Sequence, residues 1–188
     1  MKRVEEFIAT YLGETQKIAE QIDRAVILDA VDMLVSLKRR QGRLFILGVG
    51  GSAANASHAA NDFRKIAGIE AYAPTDNCSE LTAWVNDVSW ECVFKEWLRE
   101  SHLNASDALL ILSVGGGSLT TSRNLVLAME YAKEIGCSTL SIVSRDGGRA
   151  RELSNVAILI PVLCEERITP HAEGWQAIVW HLLANAMR

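Results

Sequence analysis

Four short apolar runs limit how this chain can fold. They are RLFILG at 43–48, ALLILS at 108–113, TLSIVS at 139–144 and VAILIP at 156–161. Their hydrophobicity is continuous rather than alternating, so each predicts a strand buried on both faces, as in a parallel sheet. Parallel neighbours need crossover connections, and helical patterns fill most of the gaps. These patterns run from Ala53 to Ile66, Ser89 to Ser101 and Thr120 to Ile135, and a last one from about His171 to Met187. Glu70 to Ala73 is a candidate extra strand. Residues 3–40 read as helix with Gly13 as the only weak point, and Leu28, Val31, Leu34 and Leu37 repeat at helical spacing. Arg39 to Gly42 end that pattern. The alternation predicts an α/β fold, a doubly wound parallel sheet flanked by helices, with a long N-terminal helical segment. In such sheets ligands bind beyond the carboxyl ends of the strands.

The length of 188 residues fits one domain. Residues 1–42 form a helical segment suited to packing against a second copy, and 43–188 form the α/β core. Lys and Arg number 19 against 23 Asp and Glu, a net charge of -4 that forces no basic face, so nucleic acid is not expected as a direct partner. The first residues are amphipathic and carry acids, unlike a secretory leader, and no apolar run reaches membrane-spanning length. A cytoplasmic protein is expected. Cys78, Cys92, Cys137 and Cys164 form no CxxC pair, which argues against a thiolate zinc site. Cys92 and Cys137 read as buried thiols in a reducing compartment.

Two glycine-rich loops follow two of the strands. The first is Gly48-Val49-Gly50-Gly51-Ser52, running directly into a helix. Its glycines let backbone N–H groups approach an anion, and the helix N-terminus adds positive potential. Ser52 can cap the helix or donate to a phosphate oxygen. The spacing is neither the dinucleotide GxGxxG pattern nor a P-loop with its lysine. Taken alone, this loop reads first as a tight strand-to-helix turn with a cap. The second loop, Ser113-Val114-Gly115-Gly116-Gly117-Ser118 followed by Leu119-Thr120-Thr121, repeats the arrangement. Neither loop holds a basic residue. Neutral donors and a helix dipole suit a small phosphorylated metabolite better than a nucleotide with magnesium.

Acid and imidazole groups flank these loops. His58 and Asp62, four residues apart on one predicted helix, point the same way. Glu173 and His181 lie on the closing helix, but eight helical residues rise about 12 Å. Either that helix breaks near Gly174, or the two residues belong to sites in different subunits. His102 reads as surface, and His171 as a reserve candidate at a helix start. Trp90, Trp97, Trp175 and Trp180 read as core or interface packing.

Five segments carry a resemblance. GVGGSAANASHAANDF resembles GNGGSAADAxHFAxEL of the sugar isomerase (SIS) domain family, in its phosphoheptose isomerase branch. LTAWVNDVSWECVF resembles that branch's LTAxxNDxxxxxxF. ALLILSVGGGSLTTSRNLVLAMEYAKEIGC is similar to DVLxxISTSGNSxNVxxAxxxAKxxGM, and SRDGGRARELSNVAILIP to TGKDGGxxxxxADxxIxVP. RITPHAEGWQAIVWHLL stands where the family has RIQExHxxxxHxL. The resemblance implies a homotetramer with sites between subunits, isomerising sedoheptulose 7-phosphate to D-glycero-D-manno-heptose 7-phosphate for heptose biosynthesis. It implies Gly51, Ser52, Ser113, Gly115, Gly116 and Ser118 around the phosphate, and Asn86 and Asp87 on sugar hydroxyls. Asp62 and His181 fall on the catalytic pair. His58, Asp62, Glu173 and His181 fall on a set that would hold one zinc ion, Glu173 standing on a family glutamine that also faces the substrate.

The departures are specific. Val49 replaces Asn, while Val114, Gly115 and Gly117 replace Thr, Ser and Asn, so the second loop loses three side-chain donors. Asp62 is one methylene shorter than the family's Glu. The stretch RITPHAEG is four residues longer than RIQE. The competing reading is a binding protein of the same family, a sugar-phosphate sensor or an adaptor of the type that associates with the replication initiator DnaA.

Overall fold

The protein is described by a computed structural model covering residues 1–188. In chain order it runs α1 (Lys2–Gln21), α2 (Arg24–Arg39), β1 (Leu44–Gly48), α3 (Gly51–Asp62), β2 (Ala71–Tyr72), α4 (Cys78–Asp87) and α5 (Val93–Glu100). Then follow β3 (Ala108–Leu112), α6 (Arg123–Ile135), β4 (Ser138–Ser144), α7 (Gly148–Leu153), β5 (Val156–Ile160) and α8 (Ile168–Ala186). A single wide π turn, Phe63–Ala67, extends α3. The strands form one sheet in the order β2-β1-β3-β4-β5, every pair parallel. The central β1 and β3 are buried at every residue, as their unbroken apolar runs require.

The strands alternate their side chains between two cores. Leu44, Ile46, Leu110, Ile142 and Ile158 join α2, α3 and α8 on one face, where Leu34, Phe63 and Trp180 are fully buried. Phe45, Leu47, Leu109, Ile111 and Val143 join α5, α6 and α7 on the other, around Phe94 and Met129.

Several boundaries differ from the periodicity. Residues 3–40 are two helices, not one. Gly13 sits inside α1, and the break comes at Asp23, whose carboxylate accepts from the N–H groups of Ala25 and Val26 and caps α2. The patterned segment from Ser89 begins as helix only at Val93, and α4 precedes it as a helix with no buried residue. The closing helix starts earlier, at Ile168, and runs unbroken through Gly174. Pro170 lies in its first turn, where backbone N–H groups have no intrahelical acceptor to lose.

Two polar clusters tie the layers. Asp107, buried, accepts from the backbone N–H of Arg43 at 2.9 Å and from its guanidinium at 2.7 Å, joining the entries of β1 and β3. Glu14 of α1 accepts two bonds from Arg167, at 2.6 and 2.8 Å, and lies 2.9 Å from the His171 Nε2. Tyr11 stacks on His171 with ring centroids 4.4 Å apart. His171 is thus a buried anchor for α1.

The Arg167 guanidinium holds the Glu14 carboxyl at about 2, below its ordinary 4.5. A depressed acid contributes stability that is complete above the unfolded value and disappears as pH falls toward the folded one. Glu14→Gln is therefore expected to lower the urea midpoint at pH 7. The gap from the parent chain should close between pH 4.5 and about 2. A gap that stays constant across that window would mean that α1 is not held by this charge.

Candidate active site

The turn from β1 into α3 starts at Gly50, whose φ of 64° favours glycine. It leaves Ser52 in the first turn, buried, with no side-chain cap bond. Ser52 and the loop after β3 line one cleft of about 480 Å³ beyond the carboxyl ends of β1 and β3. These strands flank the point where the strand order reverses, the place such sheets use for ligands.

Ser113, Gly115, Ser118 and Glu173 also line this cleft. The Ser118 Oγ accepts from the N–H groups of Thr120 at 3.2 Å and Thr121 at 3.0 Å and lies 3.4 Å from the Thr120 hydroxyl. Ser113 Oγ accepts from Gly116 N–H at 3.1 Å. That bond removes the Gly116 N–H from phosphate binding, and a Cβ on Gly116 would stand 1.9 Å from the Gly147 carbonyl oxygen. Gly116 is a packing glycine behind the loop and does not line the cleft. Gly51 opens α3, and a Cβ there would lie 2.5 Å from the Glu173 carboxylate. Asn86 and Asp87 end α4, exposed and bonded to each other at 2.8 Å; neither lines the cleft.

The cleft is not purely neutral. Arg145, first residue after β4, lines it together with Thr121, Ser122 and Thr169. The readable signal was its position at a third strand end beside the switch point.

A second constellation lies farther along α3. His58, Asp62 and His181 each bring one ligand atom within 4.8 Å of the others. Asp62 is buried and its Oδ2 lies 3.1 Å from His181 Nδ1, while its Oδ1 accepts from Asn61 at 3.1 Å. The fully buried Trp180 packs under both imidazoles, with centroids 3.6 Å from His181 and 4.8 Å from His58. Its periodicity marked it only as core.

The fourth residue of the expected metal set stands elsewhere. The straight course of α8 separates Glu173 from His181 by about 12 Å of rise, so Glu173 faces the cleft of its own chain. The ligand group within one chain is two imidazoles and one carboxylate. That donor set fits a divalent cation with a position left open for substrate.

The chain is similar to known proteins over most of its length. The sequence profile of the SIS domain matches residues 10–144. The phosphoheptose isomerase of Helicobacter pylori is 31% identical over 186 residues, covering 94% of this chain and 91% of that protein. That of Pelobacter propionicus is 32% identical over 186 residues, covering 95% and 94%. The solved phosphoheptose isomerase of Neisseria gonorrhoeae superposes with a TM-score of 0.84 at 26% identity, covering 98% of each chain.

The imidazole and carboxylate cluster yields a binding test. Metal-free protein titrated with zinc should take up about one ion per chain. His58→Ala should weaken that uptake at least roughly tenfold, the loss typical of a disrupted metal shell. Undiminished zinc affinity in His58→Ala would exclude this cluster as the site.

Proposed function

This chain belongs to the SIS domain family, and we propose that it is a phosphoheptose isomerase. Its reaction is the conversion of sedoheptulose 7-phosphate to D-glycero-D-manno-heptose 7-phosphate, an aldose–ketose isomerisation feeding heptose biosynthesis. The observation that carries the reading is the contact of Asp62 with His181 on helices that also line an anion cleft. An adaptor has no use for such a pair.

The ketose has a hydroxymethyl C1 beside a carbonyl C2. Asp62 takes a proton from C1 while His181 delivers one to O2, which leaves the 1,2-enediol. His181 then takes the proton of O1 as Asp62 returns its proton to C2, and the aldose forms with both residues restored. His58, Asp62 and His181 would alternatively hold zinc, which when bound would supply, by polarising the carbonyl and stabilising negative charge on the enediol oxygens, what the His181 proton supplies in the metal-free site. Trp180 fixes the two rings from below and keeps water from that side. Ser52 and Ser118 hold the phosphate.

We assign the whole chain to one SIS domain, with residues 1–42 joining copies. Val4, Phe7, Ile8 and Leu12 leave an apolar stripe exposed on α1, which a second copy would cover. From Ser52 to Asp62, α3 rises about 15 Å. This length supports a site in which the phosphate cleft of one copy faces the proton-transfer pair of another, and in which Glu173 reaches that pair only across subunits. A homotetramer in the cytoplasm is the assembly proposed. No helix is long and apolar enough to cross a membrane.

Two measurements test this. Sedimentation of the purified chain should report a tetramer, and a fully active monomer would refute the shared site. Asp62→Asn and His181→Ala should each abolish conversion of sedoheptulose 7-phosphate while keeping the parent's circular dichroism. If Asp62→Asn still exchanges the C1 proton with solvent at near-parent rates, Asp62 is not the base.

A further inference from the structure

We propose that Arg145 is the charged phosphate anchor of this cleft, a role that the second loop's own side chains do not fill here. The proposal rests on the phosphosugar reading of the same site. Its first ground is charge. A sugar phosphate is close to dianionic near neutral pH, and the cleft already contains the Glu173 carboxylate. Two helix N-termini and a few hydroxyls offer only fractional positive charge against that load. Arg145 is the one cationic side chain lining the cleft.

The second ground is availability. The nearby Arg149 is paired with Glu130 at 3.5 Å and also with Glu152, whereas Arg145 makes no side-chain hydrogen bond and no ion pair. An unpaired guanidinium at the mouth of a cleft keeps all five donors for an incoming anion.

The third ground is how the loop is built. Arg145 has a φ of 57°, a left-handed conformation that costs a long side chain free energy. The surrounding backbone imposes it. Ser144 N–H bonds to Val114 O at 2.9 Å, Gly147 N–H to Ser144 O at 3.0 Å, and Ala150 N–H to Gly116 O at 2.8 Å. The loop after β4 is thereby fastened to the loop after β3. A Cβ on Gly115 would touch the Arg145 Cδ at 3.8 Å, ordinary packing distance. The arginine stem therefore lies over a position that carries no side chain. Gly115 and Gly117 take hydroxyl and amide donors out of this loop, which leaves its charge complement to come from the arginine packed beside Gly115.

The test uses the full-length chain and two ligands, sedoheptulose 7-phosphate and inorganic phosphate. Arg145→Asn keeps a residue that tolerates the left-handed backbone and removes the charge. It should raise both KM and the inhibition constant for inorganic phosphate roughly ten- to hundredfold, with kcat changed less than about threefold. Added salt should weaken phosphate binding to the parent more steeply than to the variant. Arg145→Lys should recover most of the affinity, which a purely structural role would not grant. Unchanged KM and phosphate inhibition in Arg145→Asn would overturn the anchor while leaving the isomerase intact. If the parent chain isomerises no heptose, calorimetric binding of inorganic phosphate decides alone. Its loss in Arg145→Asn supports the anchor and isolates the failure in the heptose reading, and its absence from the parent chain overturns the anchor as well.

Discussion

The packing of α3 against α8 determines where nearly every reactive group of this protein stands. α3 presents Ala56, Ala59 and Ala60, all buried, so the two helix axes approach closely. α8 answers with Val179, Trp180 and Leu183. Ser52 sits at one end of α3 and Asp62 at the other; Glu173 and His181 occupy corresponding places along α8. The pair acts as two parallel rulers with the cleft at one end and an acid–imidazole cluster about two to three turns away. Asn55 locks the alignment by donating to the Glu173 carbonyl at 3.0 Å and to the Gln176 side chain at 3.2 Å. A larger residue at Ala56 or Ala59 would act on both ends at once.

Charge divides those two ends differently. In the cluster, two imidazoles and one carboxylate lie over the apolar face of Trp180, a setting that favours either a shared cation or a shared proton. The cleft is lined by one carboxylate and one guanidinium that do not pair, among hydroxyls and backbone. The proposed binding and proton-transfer roles therefore fall on separate groups. The length of the rulers means that one small substrate does not bridge both ends of a single chain, and this is the physical reason for expecting a second copy.

The sheet was legible because burial on both faces leaves an unbroken apolar record, and β1, β3, β4 and β5 appear within a residue of their runs. α4 was not legible as a separate helix: no residue of it is fully buried, and only Leu81 and Trp84 pack against the core, too short an apolar stripe for a period to reveal. The α1–α2 break was written in Asp23, a capping residue, rather than in Gly13, which a helix tolerates. His58 and Asp62 were readable because four residues on a helix is a contact distance. Their meeting with His181 needed the α3–α8 alignment, which no local spacing encodes. Glu173 shows the same limit from the other side. Its alignment with a metal-ligand position says nothing about which chain's metal it faces, and a straight α8 turns it to the cleft.

Arg145 was hidden for a different reason. Its place in the cleft depends on two loops far apart in sequence being fastened by backbone bonds, which no local pattern records. A separate set of side-chain bonds ties α1 to the start of α8. Glu14 grips Arg167 and His171, which begin α8, and Thr169 and Glu173 in that first stretch line the cleft. The helix whose exposed apolar stripe suits assembly is thus bonded to the residues that border the anion site. One carboxylate thus links α1 to the stretch of α8 that borders the cleft, through an ion pair whose side chains are largely withdrawn from solvent. Screening by salt acts weakly on such a pair, so this link should persist where surface pairs such as Arg99–Glu100 dissolve.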